Sequence, residues 1–84
     1  MDAAHVRDKV RAFVTSNFPV ADPSGLADET SLLDTGVIDS TGVLEIIKFI
    51  EEDFGIKVAD DEMVPDNLES VAKVTAYVGR KRAG

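Results

Sequence analysis

The chain has 84 residues, enough for one domain and too few for two. With 44% hydrophobic and 30% charged residues it is composed as a folded protein, and its apolar runs are too short and too often broken by charge to span a membrane. The absence of cysteine removes disulfides, thiolate metal sites and a cysteine nucleophile, and the net charge of −7 argues against nucleic acid and anionic membrane as partners.

The charge is unevenly spread. Between Asp28 and Glu69 there are thirteen acids and two bases, Lys48 and Lys57, while the two ends hold the other seven bases. An acidic middle keeps the chain soluble and steers it toward basic protein surfaces. The basic C-terminal Gly-Arg-Lys-Arg reads as a solvated helix end whose cations suit the negative pole of the helix dipole. The N-terminal Met-Asp-Ala-Ala-His-Val-Arg lacks the basic start and apolar stretch of a signal peptide, so a cytoplasmic location is expected.

In chain order, residues 2 to 18 place Val6, Val10, Phe13, Val14 and Phe18 at helical spacing, with Asp2 as a cap and Pro19 as a stop. The next twenty residues hold two prolines and two glycines, too much punctuation for a long helix. Leu26, Leu32, Leu33, Val37 and Ile38 still need burial there, so a long loop packed over the core is expected. A second helix runs from Ser40 to Phe54 on a stripe of Val43, Ile46, Ile47, Ile50 and Phe54, and Gly55 ends it. Asp-Asp-Glu-Met-Val before Pro65 reads as a single short helical turn. A last helix, Ser70 to Arg82, carries Val71, Val74 and Val78 on one face. Little reads as period-two strand. The expected fold is all-α: a single domain over residues 1–84, a small four-helix bundle of three main helices and one short one, with a long first loop.

Ser40 stands at the head of the second helix. With Asp39 as N-cap, Ile38 and Val43 fall at the two positions of a hydrophobic staple, and Ser40 takes the first helical position. At about 100° per residue Ser40 lies roughly 60 to 80° from the middle of the apolar stripe, so its hydroxyl should reach solvent. The unpaired amides and positive pole of a helix start also suit a phosphate esterified to that hydroxyl. On these residues alone the Asp-Ser pair reads first as ordinary helix-start chemistry, and second as a serine that receives a phosphodiester. A catalytic serine would need a base within reach. The one histidine, His5, reads as a surface residue of the first helix, and no glycine-rich oxyanion turn is present.

The longer stretch Leu-Leu-Asp-Thr-Gly-Val-Ile-Asp-Ser-Thr-Gly-Val-Leu-Glu, followed by Phe-Ile-Glu-Glu-Asp-Phe-Gly-Ile-Lys-Val and the acidic run Asp60-Asp61-Glu62, resembles the acyl carrier and peptidyl carrier protein family. Asn67 to Val78 is similar to that family's last helix, so the resemblance covers about residues 30 to 80. It implies that Ser40, with Asp39 as motif partner and helix cap, bears 4′-phosphopantetheine taken from coenzyme A by a phosphopantetheinyl transferase. The arm would bring the thiol that the sequence lacks and hold an acyl or aminoacyl group as a thioester. The protein would then be no enzyme but a carrier, presenting tethered cargo to successive enzymes at raised effective concentration.

The sequence departs from the pattern at three places. Thr41 stands where a larger apolar residue is usual, Gly42 where fatty-acid carriers frequently have an acid, and Lys48 where they tend to have an apolar contact, and all three are expected on the exposed side of the second helix. Thr41, Glu45, Lys48 and Glu52 form one helical stripe, with Leu44 and Glu51 beside it toward Ser40. These six residues read as a partner-docking face for enzymes with basic surfaces, Leu44 supplying the apolar contact. The altered stripe points to a specialised pathway rather than housekeeping fatty-acid synthesis, with a stand-alone activating ligase loading the cargo. A monomer is expected, since the exposed face is charged. The alternative is an acidic helical interaction module with no prosthetic group. A calcium loop is disfavoured, because the acidic run lacks alternating oxygen ligands and a central glycine, and no metal site is expected.

Overall fold

The computed structural model describes residues 3–18, 20 and 26–83. Four α-helices follow in order: α1 Ala3–Asn17, α2 Ser40–Phe54, α3 Pro65–Leu68 and α4 Val71–Ala83, with a 3-10 turn at Asp60–Glu62 between α2 and α3. Among the described residues there is no strand, and no helix is long and apolar enough to cross a membrane. The all-α bundle expected from periodicity is the fold observed. Asp2, Pro19, Pro23 and Gly25, read as cap, stop and loop punctuation, lie outside the described residues.

The core forms where the apolar stripes meet. Val6, Val10 and Val14 of α1, Ile46, Ile47, Ile50 and Phe54 of α2, and Val71, Val74 and Val78 of α4 are all buried. Side chains three and four apart share one helix face, so each helix adds a continuous apolar strip to a common interior. Tyr77, absent from the stripe read in sequence, is also buried, as are Val58 and Leu68. Val43, expected in the α2 stripe, is half-buried at its edge. Phe13 of α1 stacks on Phe49 of α2 with ring centroids 4.3 Å apart, closing the seam between the two helices.

The long loop is packed, as its apolar residues required. Leu26, Leu32 and Ile38 are buried, while Leu33 and Val37 are half-buried. Its backbone is stitched to the start of α4: Leu32 N–H donates to the Glu69 carbonyl at 2.6 Å, and Ala72 N–H donates to the Asp28 carbonyl at 2.8 Å. Gly36 turns the chain with φ of +78°, a region that favours glycine. Ile38 N–H then donates back to the Leu32 carbonyl, setting the direction in which the chain reaches α2.

Two boundaries differ from the sequence reading. The single turn expected over Asp-Asp-Glu-Met-Val is split: Asp60–Glu62 forms the 3-10 turn, and α3 begins afterwards with Pro65 at its first position. Proline fits there because its missing N–H is one that a helix start leaves unpaired. The last helix starts at Val71, because Ser70 is spent as a cap: its buried hydroxyl accepts the Lys73 N–H at 3.1 Å.

Candidate functional site

Asp39 places Ser40. Its backbone is extended, with φ of −119°, and its Oδ1 accepts the Gly42 N–H at 2.9 Å, which caps α2. Ser40 is therefore the first residue of the helix, and it is exposed. The turn behind it is tightly packed. A Cβ on Gly42 would lie 2.9 Å from Ile38 Cβ and 3.0 Å from Phe18 Cε1, so only glycine lets α2 approach this close to the loop and the end of α1. The residue read in sequence as a departure at the surface is buried, and no side chain could stand there without moving Ile38.

Beside Ser40 lies an apolar groove of about 270 Å³. One wall is α2, through Val43, Leu44 and Ile47; the other is the segment Met63-Val64-Pro65 with Leu68. Among the described residues, the exposed large hydrophobics are Leu44 at 60%, Val64 at 40% and Met63 at 38%, and all three line this groove. Among the described residues, the large apolar side chains left open to water are thus gathered beside the serine rather than scattered. The sequence reading placed Leu44 here but missed Met63, Val64 and Pro65. Their signal was an apolar pair with no place in any helical stripe, in the middle of an acidic run.

Of the six residues read as a docking face, Thr41, Leu44, Glu45, Lys48 and Glu52 are exposed along α2. Glu45, Lys48 and Glu52 flank a shallow depression floored by Phe13 and Phe49. Glu51 is different: it is half-buried, and its Oε2 accepts the Val58 N–H at 2.9 Å, tying the chain after α2 back to the helix. His5 is exposed in the first turn of α1. Among the described residues, no group of three or more His, Cys, Asp or Glu side chains could hold a metal ion.

The basic end of α4 is not simply solvated. Arg82 donates to the Phe54 carbonyl at 2.6 Å, the last residue of α2. Lys81 Nζ and the Tyr77 hydroxyl donate to Glu62 Oε1 at 2.8 and 3.0 Å. The ammonium of Lys81, helped by the Ala59 N–H, holds the Glu62 carboxyl down at about 2. Burial, reinforced by the same carboxylate, pushes the Tyr77 phenol up to about 12.

Residues 8–78 match the protein family described as the phosphopantetheine attachment site. The chain is 30% identical over 83 residues to an acyl carrier protein of Thermosynechococcus vestitus, covering 99% of both chains. It is 34% identical over 73 residues to an acyl carrier protein of Akkermansia muciniphila, covering 87% of this chain and 88% of that one. A D-alanyl carrier protein of Streptococcus pyogenes is 42% identical over 57 residues, 68% of this chain and 71% of the relative.

Proposed function

The chain belongs to the phosphopantetheine attachment-site family of carrier proteins, whose covalent group is 4′-phosphopantetheine, and from that membership we propose that Ser40 is the attachment point. The observation that carries this is the position of Ser40: exposed at the first residue of α2, on the edge of the apolar groove. A transferase can reach the hydroxyl from solvent. In that transfer Ser40 Oγ bonds to the pantetheine-side phosphorus of the coenzyme A pyrophosphate, the bond from that phosphorus to the bridging oxygen breaks as adenosine 3′,5′-bisphosphate leaves, and the hydroxyl proton passes to a base of the transferase. The positive pole of α2 then faces the new phosphodiester. Once bound, the arm supplies a thiol on which an acyl or aminoacyl group is held as a thioester.

The groove gives an apolar cargo or the arm's own methylenes a place beside the attachment point. Thr41, Leu44, Glu45, Lys48 and Glu52 form the face offered to the transferase, to the activating ligase and to downstream enzymes with basic surfaces. Glu51 belongs at its edge. We read the protein as a single-domain cytoplasmic monomer and as a carrier rather than a catalyst. Carriers with acyl and D-alanyl names both resemble it, so the cargo is acyl or aminoacyl. Lys48 in the middle of the docking face, and Gly42 where no acid can stand, favour a dedicated pathway over housekeeping fatty-acid synthesis.

Intact-protein mass after incubation with coenzyme A and a broad-specificity phosphopantetheinyl transferase tests the assignment. One phosphopantetheine mass is expected on the native protein and none on Ser40→Ala. No gain on the folded native chain, with the transferase active on another carrier, would refute it.

A further inference from the structure

In the wall of the groove opposite α2, Leu68 is anchored in the core, but Met63, Val64 and Pro65 before it are all exposed. Met63, Val64 and Pro65 run between a three-residue 3-10 turn and α3, a helix of four residues. Both ends of this segment are instead fastened to α4. At one end, Glu62 Oε1 accepts hydrogen bonds from the Tyr77 hydroxyl at 3.0 Å, from Lys81 Nζ at 2.8 Å and from the Ala59 N–H at 3.1 Å. At the other end, Asn67 Oδ1 accepts from Arg80 at 2.8 Å, while Asn67 Nδ2 donates to the Glu62 carbonyl at 2.9 Å. Residues three and four apart on α4 present themselves on one side of the helix, so Tyr77, Arg80 and Lys81 act together. The segment is a strap buckled at both ends to the last turns of α4, with its ends also joined to each other.

We propose that Glu62 and Asn67 are positioning residues for the groove. By fixing Met63-Val64-Pro65 against α4 they hold the groove at the width seen here, and so determine how firmly an unbranched aliphatic chain attached through Ser40 is retained. This rests on the reading of Ser40 as the attachment point. The physical basis is local stability. Bonds to ionised groups are the strong ones, and a short segment that depends on them opens more often when one is removed. The basic end of α4 then has a use beyond its dipole: two of its three cations set the groove.

The test has two arms on the full chain. In the unloaded protein, amide exchange is followed at Met63, Asn67 and Glu69, whose N–H groups are bonded within this segment. Glu62→Ala and Asn67→Ala are expected to speed exchange there by about tenfold, the equivalent of ~1.4 kcal/mol. Amides of α1 should keep their rates, and Glu62→Gln should restore part of the protection. Lys9→Met, which removes an ion pair to Asp53 elsewhere on the surface, should leave the strap unchanged. In the second arm the proteins are loaded with octanoyl-phosphopantetheine from octanoyl coenzyme A, and contacts of the octanoyl methylenes with Leu44, Met63 and Val64 are measured by nuclear Overhauser effects. Those contacts should weaken at least about threefold in Glu62→Ala and Asn67→Ala if the strap retains the chain. Unchanged exchange at the strap, or faster exchange with unchanged octanoyl contacts, would overturn the proposal. Failure of Ser40 to load in the native protein would instead refute the attachment reading, with the exchange arm still deciding whether Glu62 and Asn67 hold the strap.

Discussion

Replacing Asp39 by Ala removes the acceptor for the Gly42 amide and should cost about 1 kcal/mol of stability, read as a lower midpoint in urea. Asp39→Asn keeps an acceptor and should fold nearly as well. A slower rate of phosphopantetheine transfer to Asp39→Asn, at unchanged stability, would separate recognition from capping. Gly42→Ala sets two effects against each other. Alanine is the better helix former by about 1 kcal/mol. The added methyl would meet Ile38 Cβ at 2.9 Å, and overpacking typically costs about 1 to 3 kcal/mol. Ile38 Cβ is anchored to backbone and cannot swing aside, so the clash should win and the midpoint should fall. The cap was legible because Asp followed by an apolar run has one local meaning. The crowding at Gly42 was not, because Phe18 and Ile38 reach it from other parts of the chain.

At the scale of elements, α2 is the helix whose two ends were both written locally: Asp39 starts it and Gly55 stops it. Gly55 has φ of +66°, so Gly55→Ala should destabilise by roughly 1 kcal/mol in thermal unfolding. The last turn of α4 also supports α2, since Arg82 donates to the Phe54 carbonyl. Arg82→Met keeps the aliphatic stem but removes that bond, and should cost about 1 kcal/mol with the greatest gain in amide exchange near Gly55. The split between the 3-10 turn and α3 was hidden in sequence. A four-residue helix has no room for a periodic stripe, and its place was set by Pro65 and by the bonds that Glu62 makes with a distant helix.

Across the whole molecule, Glu62 and Tyr77 make stability depend on pH at both extremes. The Glu62 carboxyl lies lower in the folded protein than its usual 4.5, at about 2, so its contribution is present above pH 4.5 and is lost as pH falls toward 2. The Tyr77 phenol lies higher than its usual 10.0, at about 12, so its contribution is present below pH 10 and is lost as pH rises toward 12. Thermal midpoints should therefore fall at both ends. Glu62→Gln should flatten the acid limb relative to the native protein, and Tyr77→Phe the alkaline limb. An unchanged alkaline slope in Tyr77→Phe would mean that another group controls it. Light scattering should give the mass of one chain, since among the described residues the exposed large apolar side chains all line the groove and the net charge is −7.

What the sequence determined by itself was everything encoded within a turn or two of chain. The all-α class came from apolar periodicity, the start and end of α2 from Asp39 and Gly55, and the place of Ser40 on that helix from the cap. The family came from the order of motifs around Ser40. Tertiary structure alone decided the groove and its fastening. Met63 and Val64 acquire meaning only because the chain returns past Leu44, and Lys81 only because α4 ends beside Glu62. Tyr77 likewise joins the core through packing that a stripe of valines did not disclose. The physical reason is the range of the interactions. Capping and periodicity act between residues a few positions apart, whereas the bonds that buckle the groove wall to α4 join residues thirteen to nineteen positions apart, which only folding brings together.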